Sequence, residues 1–504
     1  MTRAGIPGTI AVILLAQIVS AGESKLVKVG ADGKLVYAPY SDKGDCIPDF
    51  SNCGYMGGGV KLPEAPVRET LAPQAGDQRQ RIQDAIDKVS ALPADAAGLR
   101  GAVLLTKGIY EVGDTIYIRS SGVVLRGEGD GDKGTVLVAA AKRKHTLIAV
   151  GGSGKAEEVK GTRHAIVDDY VSVGAHSFSL DSTQGLAVGD EVIVARHGNQ
   201  EWIHTLGADK LNRGPDDPVK NWQPLTLSFQ RVVTKIEGNK VTIDAPIACA
   251  IERQWGGGEV YKYQWPGRLR HVGVENLRGQ SQYSGETDEK HAWDMVHIGA
   301  VQDAWVRNVT AVHFAYSCVN ASATASRVTV QDCQCLDPIS KITGGRRYSF
   351  ALAGQLALVQ RCYARNGRHD FVMHARVPGP NAFVDCKAEK AHADSGPHHR
   401  WSAGTLYDNV TCGPLNVQNR GRSGTGHGWA GSVMVFWNCT ATSLDCQKPP
   451  TSQNFAIGCI TPKMSGKGHI ESPGRPVEPR SLYRAQLQER LGKEAVESVG
   501  GAPR

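Results

Sequence analysis

The chain has 504 residues, of which 41% are hydrophobic and 21% are charged. This composition supports a large buried core and excludes a disordered protein. The 59 glycines argue against a helical bundle, because an interior glycine costs about 1 kcal/mol relative to alanine in a helix. The formal net charge of +7 is a modest basic excess, so its location along the chain matters more than its size.

The chain begins with the pattern of a secretory signal peptide. Arg3 precedes an apolar run over residues 10–19, and small residues at 19–21 form a cleavage site. The run is too short to span a bilayer, which requires about 20 apolar residues, and no later segment qualifies. We therefore predict that residues 1–21 are a signal peptide, that the protein is secreted or periplasmic, and that no segment spans a membrane.

Residues 22–78 lack a regular pattern and are predicted to be irregular. Cys46 and Cys53 lie in this segment, and in an exported loop they either form a disulfide or stay free. Apolar residues at helical spacing over 79–92 predict an amphipathic helix. Short β-type runs separated by glycine-rich turns follow, so residues 79–164 are predicted to hold a helix cap and the first coils of stacked strands.

The same region resembles the pectate-lyase superfamily, and in particular the N-terminal section shared by rhamnogalacturonase-like and epimerase-like members. The resemblance is carried by the predicted helix and by three runs: Gly101-Ala-Val-Leu-Leu105, Gly108-Ile-Tyr-Glu-Val112 and Ser121-Gly-Val-Val-Leu-Arg-Gly-Glu-Gly129. It implies an all-β fold, a right-handed parallel β-helix, and leaves the reaction open.

Residues 165–250 interrupt the stack with β-type runs that predict a small antiparallel insert. A polar loop at 197–224 lies within it, and loops of that length are usually either functional or disordered. The main coils are expected over 251–464. Leucines among charged residues predict a helix in the tail at 465–504.

From residue 270 onward a three-residue phrase recurs eight times. Its third residues are Asn276, Asn308, Asp332, Arg361, Asp385, Asn409, Asn438 and Gly458. Intervals of 20–32 residues fit coils built of three short strands. The position after the phrase is cysteine five times, at Cys333, Cys362, Cys386, Cys439 and Cys459. We predict a ladder of buried free thiols, because strands about 4.8 Å apart hold the Cβ atoms too far apart for good disulfide geometry.

A second phrase ends in an aromatic residue and begins with cationic or polar residues. The aromatic residues are Trp293, Tyr316, Tyr348, Phe371, Trp401, Trp429 and Phe455. Because equivalent positions on successive coils stack, we predict one stripe of aromatic rings edged by cations. Residues 345–430 carry 11 lysines and arginines against five acidic residues. Like charges in register repel one another, so the pattern indicates an anionic ligand.

A linear acidic polysaccharide fits this stripe, because arginine binds carboxylates through two parallel hydrogen bonds and aromatic faces pack on sugar rings. The alternative is a solvated basic face with aromatic residues in the core. A nucleic acid partner is not expected, since no known binding module is present. The predicted substrate-binding residues are Arg346, Arg347, Tyr348, Trp401, Asn419, Arg420, Arg422 and Trp429.

Eliminative cleavage of a uronate requires a neutralised carboxylate, a base and an acid. The predicted catalytic residues are Arg368, His369, His399, Arg400 and His427. His374 and His392 are predicted to be structural. We therefore predict a polysaccharide lyase that cleaves an anionic, uronate-containing polysaccharide by β-elimination.

Two alternatives remain open. Hydrolysis needs two carboxyl groups, and Asp370 and Asp394 are candidates for that pair or for a Ca²⁺ site; no other cofactor is predicted. Gly426-His427-Gly428 resembles the Gly-His-Gly of polygalacturonase-type hydrolases, although the paired aspartates of that family do not precede it. The second alternative is a non-catalytic carbohydrate-binding or adhesive β-helix. Asp385 and Asp408 belong to the repeated phrase, so turn or ladder roles are expected for them.

Overall fold

The computed structural model describes residues 22–500, so the predicted signal peptide lies outside the described residues. These residues form a right-handed parallel β-helix with an antiparallel insert and short helices near the two ends, which confirms the predicted fold class. The chain passes repeatedly through three parallel sheets, named A, B and C in the order in which a coil visits them. None of the helices within residues 22–500 has both the length and the apolar character that crossing a bilayer requires.

Each sheet is a stack of short strands from successive coils. Sheet A contains Ile116–Ile118, His145–Gly151, Ala292–Gly299, Ser317–Ala321, Tyr348–Leu352, His369–Met373 and Gly396–Pro397. Sheet B contains Val67–Leu71, Gly101–Leu105, Val123–Gly127, the first parts of Leu269–Ser281 and Val301–Val312, Ala325–Gln331, Leu358–Gln360, Asn381–Val384, Ser402–Asp408, Gly431–Trp437, Phe455–Ile457 and His469–Glu471. Sheet C contains Gly108–Val112, Thr135–Ala139, the last parts of the same two long strands, Gln334–Leu336, Tyr363–Arg365, Lys387–Glu389, Thr411–Val417, Thr440–Cys446 and Met464–Ser465.

The bend from sheet B to sheet C explains the repeated phrase. All eight third residues have a positive φ, between 49° and 68°. Asparagine and aspartate adopt this left-handed conformation more readily than other residues with a side chain, and glycine has no Cβ to clash. The polar bias of the phrase is therefore a requirement of the backbone at the bend.

The five cysteines that follow the bend point into the interior and are at most 1% exposed. The strand register places Cys333, Cys362 and Cys386 in one column, and all five are free thiols. The thiol ladder is thereby confirmed. Cys46 and Cys53 are free as well, because the Cys46 thiol faces the Gly44 carbonyl while Cys53 is buried in another part of the core.

A helix near the start of the described chain caps the first coils, and two helices in the tail pack on the outer face of sheet B. Helix Arg79–Ser90 packs its apolar face against the first coils, which agrees with the predicted helix except for its last two residues. The tail forms helices Leu482–Leu491 and Lys493–Ser498. Asp408 receives hydrogen bonds from the Ser481 hydroxyl (2.6 Å) and the Tyr483 backbone N–H (2.9 Å), so this member of the phrase anchors the tail.

The insert is an antiparallel sheet that leaves the β-helix after sheet A strand His145–Gly151. Its strands, in spatial order, are Glu157–Glu158, Gly258–Gln264, Glu191–His197, Thr226–Glu237, Lys240–Ile243 and Ser177–Ser179, with His164–Ala165 paired to the second. The sheet extends beyond both ends of the predicted range of 165–250. The loop at 197–224 contains helix Gln200–Thr205 and is packed by the buried rings of Trp202 and Trp222.

The remaining elements are short. They are strands Gly22–Glu23 and Val477–Glu478, which pair, hairpin Val27–Val29 with Leu35–Tyr37, pair Tyr170–Val171 with Ile251–Glu252, and helical turns Tyr55–Gly57, Arg253–Trp255 and Ser423–Gly426.

Candidate active site

Three of the seven predicted aromatic residues stack at the edge of sheet A. The rings of Trp293 and Tyr316 are 6.2 Å apart at 11°, and those of Tyr316 and Tyr348 are 5.1 Å apart. The Lys144 ammonium lies 3.7 Å above the Trp293 ring. These three rings form a column, called the aromatic column below, that follows the axis of the β-helix.

The column ends at Tyr348 because the strand register of the next coil differs by two residues from the register that the repeated phrase predicts. Tyr348 is paired with His369, and Phe371 is paired with Phe350 in the core. Phe371 is therefore not part of a surface stripe. A histidine takes its place above Tyr348, with the two rings 5.0 Å apart.

The other predicted aromatic residues lie beneath the insert or in the core. Trp401 is 1% exposed and packs edge-on against Trp202 of the insert at 4.9 Å, so it cannot contact a sugar, contrary to its predicted role. Trp429 is half-buried against the same apolar cluster, and Phe455 is buried in the core. The single stripe predicted from the spacing is thus divided by the insert.

Above Tyr348 the structure brings four histidines together. Tyr348, His369, His398, His399 and His427 form what is called the histidine cluster below. His398 lies at its centre, with ring centroids 4.6 Å from His369, 5.3 Å from His399 and 5.0 Å from His427. The Tyr348 hydroxyl is 3.0 Å from His398 Nε2. Three of the predicted catalytic residues are therefore neighbours.

Successive coils supply these side chains. Tyr348 and His369 each begin a sheet A strand, His398 and His399 directly follow strand Gly396–Pro397, and His427 follows the turn Ser423–Gly426. His427 Nδ1 donates to the Ser423 carbonyl, which leaves its Nε2 as an acceptor.

Gly426 and Gly428 flank His427, and both have a positive φ, 91° and 56°. A Cβ at Gly426 would lie 2.4 Å from the Lys220 carbonyl oxygen, and one at Gly428 would lie 2.5 Å from the Trp222 ring. The Trp222 indole N–H also donates to the Gly426 carbonyl at 3.0 Å. The two glycines therefore accommodate the insert loop, and the resemblance to the hydrolase Gly-His-Gly has a packing explanation.

Asp394 connects the cluster to a cation. Its carboxylate forms an ion pair with Arg420, and its backbone carbonyl is 2.6 Å from His369 Nδ1. Burial raises the pKa of Asp394, but the bonds to His369 and Arg420 outweigh burial and lower the pKa below its ordinary value. The Asp394 carboxylate is therefore ionised and bound to Arg420.

Asp370 has a different environment. It is fully buried and accepts a hydrogen bond from the Ser349 hydroxyl at 2.6 Å, and burial raises its pKa to about 6. Because Asp394 is engaged by Arg420 and Asp370 is sealed within the core, the structure does not support these two residues as a hydrolytic pair or as a Ca²⁺ site.

Several predicted arginines make specific contacts within the protein. Arg346 binds Glu289 through two hydrogen bonds, at 2.5 and 3.0 Å, and Arg422 binds Asp217 of the insert at 2.7 Å. Both acidic partners lie outside residues 345–430, so they offset part of the charge surplus counted there. Arg346 and Arg422 therefore have structural partners that the local charge count missed.

The other predicted polar residues lie around the cluster. Arg347 is buried and donates to the Ser340 carbonyl at 2.6 Å, and Arg368 donates to the Gly344 carbonyl. The Arg400 guanidinium donates to the Thr425 carbonyl at 2.9 Å, so it supports the turn before His427. Asn419 is exposed, and its side-chain oxygen accepts from the Gly421 N–H at 2.9 Å.

Burial sets the protonation of the cluster. Burial and then the neighbouring charged groups lower the pKa of His399 to about 3 and of His427 to about 4. The same causes lower the pKa of His398 still further. Burial raises the pKa of Tyr348, against the opposing effect of Arg368. At neutral pH His398, His399 and His427 are therefore neutral imidazoles beside the protonated phenol of Tyr348.

Sequence reasoning left His398 out of the predicted catalytic set and assigned His374 a structural role. The Tyr316 hydroxyl is 3.1 Å from His374 Nε2, so a second tyrosine–histidine pair lies in the aromatic column beside Tyr348–His398. Burial lowers the pKa of His374 to about 4. The adjacent histidines at 398 and 399 were the signal available in the sequence. His392 is exposed, and its backbone N–H donates to Gly367.

No protein-family model matches the chain, and no curated protein matches it. Among solved structures it is similar to the gp54 tailspike of Acinetobacter baumannii bacteriophage AP22 in complex with capsular saccharide, at 10% identity and a TM-score of 0.35, over 79% of this chain and 63% of that one. It is similar to the tailspike of E. coli bacteriophage HK620 in complex with a pentasaccharide, at 10% identity and 0.42, over 79% and 57%. An alginate lyase from Paenibacillus sp. matches at 7% identity and 0.38, over 80% and 97%. The chain thus spans less than two thirds of both tailspikes, and no function is transferred from these similarities.

Proposed function

We propose that the protein is an exported carbohydrate-active enzyme that cleaves a uronate-containing polysaccharide by β-elimination. The observation that carries the proposal is the phenol–imidazole pair of Tyr348 and His398, 3.0 Å apart, beside the neutral imidazoles of His399 and His427. Arg368 directly precedes His369 in the chain, and Arg420 borders the group through Asp394, which contacts both Arg420 and His369. A proton donor, proton acceptors and cations are the three components that elimination beside a carboxylate requires.

The roles follow from protonation and position. Arg368 faces the substrate carboxylate and stabilises the negative charge that develops on it, whereas Arg420 is held in an ion pair by Asp394. His427 Nε2, with His399 beside it, accepts the proton on the carbon next to the carboxylate. Tyr348 donates its proton to the leaving glycosidic oxygen. One C–H and one C–O bond break, a C=C bond forms, and no water is consumed.

The aromatic column offers a path for the polysaccharide. Trp293 and Tyr316 continue from Tyr348 along the axis of the β-helix, and Lys144 lies over Trp293. Tyr316 and Tyr348 are buried, at 8% and 4% exposed, so a sugar ring would pack against the half-buried Trp293. Lys144 suits the carboxylate of that sugar. A linear anionic glycan would therefore lie parallel to the axis with its scissile bond above Tyr348.

Hydrolysis has less support, because Asp394 is paired with Arg420 and Asp370 is sealed in the core. A binding protein without activity would require the aromatic column but would not require four histidines around one phenol.

The test is incubation of the protein with a panel of uronate polymers, with continuous recording of the ultraviolet absorbance of the unsaturated product. We expect absorbance to rise with at least one polymer. New reducing ends without absorbance would indicate a hydrolase, and binding without either signal would indicate an adhesive or binding β-helix. Either result would contradict the elimination.

A further inference from the structure

Three of the clustered imidazoles lie close enough together to share one ligand. One ring nitrogen from each of His398, His399 and His427 can be chosen so that the three nitrogens lie within 4.8 Å of one another. The ring centroids are 5.0–5.3 Å apart. His398 is buried, whereas His399 and His427 are half-buried.

The partners of these rings show which nitrogens remain available. His398 Nε2 is taken by the Tyr348 hydroxyl, and His427 Nδ1 is taken by the Ser423 carbonyl. The Nδ1 atoms of His398 and His399 are buried and make no hydrogen bond to the described protein. A buried polar atom without a partner costs free energy, and two such atoms from adjacent residues would both be satisfied by one ligand.

We propose that His398, His399 and His427 bind a divalent transition metal ion of the Zn²⁺ class. The ligand atoms are Nδ1 of His398, Nδ1 of His399 and Nε2 of His427. Imidazole suits zinc and its neighbours in the first transition row, whereas Ca²⁺ prefers oxygen ligands. Zn–N bonds of about 2.0–2.1 Å require the rings to turn inward.

The surroundings of the three rings match those of metal-binding histidines. Such histidines usually bond a carbonyl, a carboxylate or another fixed group through the second nitrogen, which sets the ring orientation. Ser423 and Tyr348 serve His427 and His398 in this way. The nearby charge of Arg420 is offset by its ion pair with Asp394. Three nitrogen ligands leave a fourth position open for a water molecule.

The proposed metal site shares His399 and His427 with the proposed lyase site, but it is argued from geometry alone. One experiment can therefore contradict the metal site without contradicting the lyase, and the reverse. Metal binding is measured without substrate, and elimination is measured by its absorbing product. A protein that binds the ion but cleaves nothing would retain the metal site and lose the lyase.

The experiment uses the full chain prepared without a polyhistidine tag, stripped with a chelator and titrated calorimetrically with Zn²⁺. We expect one ion per chain, and at least a tenfold loss of affinity in His399→Ala and in His427→Ala. The control is His392→Ala, which removes an exposed histidine from the same part of the chain and should leave the titration unchanged. Ca²⁺ in excess should not compete.

Absence of stoichiometric binding at micromolar Zn²⁺, or equal binding by both cluster variants and the wild type, would overturn the proposal. Circular dichroism shows whether the variants fold. If they do not, Co²⁺ binding to the wild-type protein tests the metal site instead. We expect an intense visible absorption band that Zn²⁺ abolishes, and its absence would equally overturn the site.

Discussion

Two contacts fix the phenol of Tyr348: its ring packs against the ring of Tyr316, and its hydroxyl bonds to the imidazole of His398. Replacement by phenylalanine keeps the ring and removes only the hydroxyl. We expect Tyr348→Phe to lower the rate of elimination by about 10²–10⁴, the usual effect of losing one positioned proton donor. The rate of product absorbance measures it.

The matched control is Tyr363→Phe, which removes a hydroxyl bonded to Glu389 at 2.8 Å on sheet C. That variant should retain wild-type activity. Equal activity of the Tyr348→Phe variant and the wild type would remove Tyr348 from the mechanism.

A metal ion at the histidine cluster would occupy the lone pairs that the elimination uses to accept a proton. We therefore expect Zn²⁺ to slow elimination over the same concentration range in which it binds, and a chelator to restore the rate. The measurement is the initial rate against free Zn²⁺. An unchanged or increased rate at saturation would show that His399 and His427 are not the proton acceptors.

At the scale of elements, the turn that carries His427 depends on the insert loop packed against it. Gly428 and Gly421 both have positive φ, but only a Cβ at Gly428 meets a neighbour, the Trp222 ring at 2.5 Å. Gly428→Ala should therefore lower the free energy of unfolding by about 1–3 kcal/mol more than Gly421→Ala, the usual cost of overpacking. Denaturant unfolding of the two variants provides the comparison, and equal destabilisation would mean that the Trp222 contact carries no energy.

The elements that the sequence predicts well are those governed by local backbone rules. The eight bends are recognisable because left-handed φ selects asparagine, aspartate and glycine, and the cysteine ladder follows from the same phrase. The shift at Phe371 could not be seen, since spacing counted along the chain does not reveal which of Tyr348 or Phe350 faces outward. His427 lies beside His399 in the histidine cluster, and its flanking glycines serve packing.

Contacts between distant segments account for the other differences. Trp401 was predicted to bind the substrate, but the ring of Trp202, 199 residues earlier in the chain, packs against it and covers it. The charge surplus was counted over residues 345–430, whereas four of its arginines pair with acidic residues outside that range, at Asp217, Glu289, Asp332 and Asp337. Local patterns carry no information about such partners.

At the scale of the whole molecule, the tail is fastened by a buried carboxyl group whose protonation depends on folding. Burial raises the pKa of Asp408 to about 7 from an ordinary value of 3.8. Between about pH 4 and 7 the folded protein holds a proton that the unfolded chain has released. Stability should therefore fall as pH rises through this window, by at most about 1.4 kcal/mol per pH unit.

The Asp408→Asn variant should lose this contribution, because an amide does not titrate. Denaturant unfolding of the wild type and the variant from pH 4 to 8 measures it. Parallel stability curves for the two proteins would show that Asp408 is ionised in the folded state.

The central claim is that this β-helix breaks a glycosidic bond by removing a proton. The most direct measurement is the mass of the oligosaccharides released from the best uronate polymer. Elimination predicts products with an unsaturated end, lighter by one water than the corresponding hydrolysis products and unlabelled when the reaction runs in ¹⁸O-water. Full-mass products that carry ¹⁸O would contradict the account.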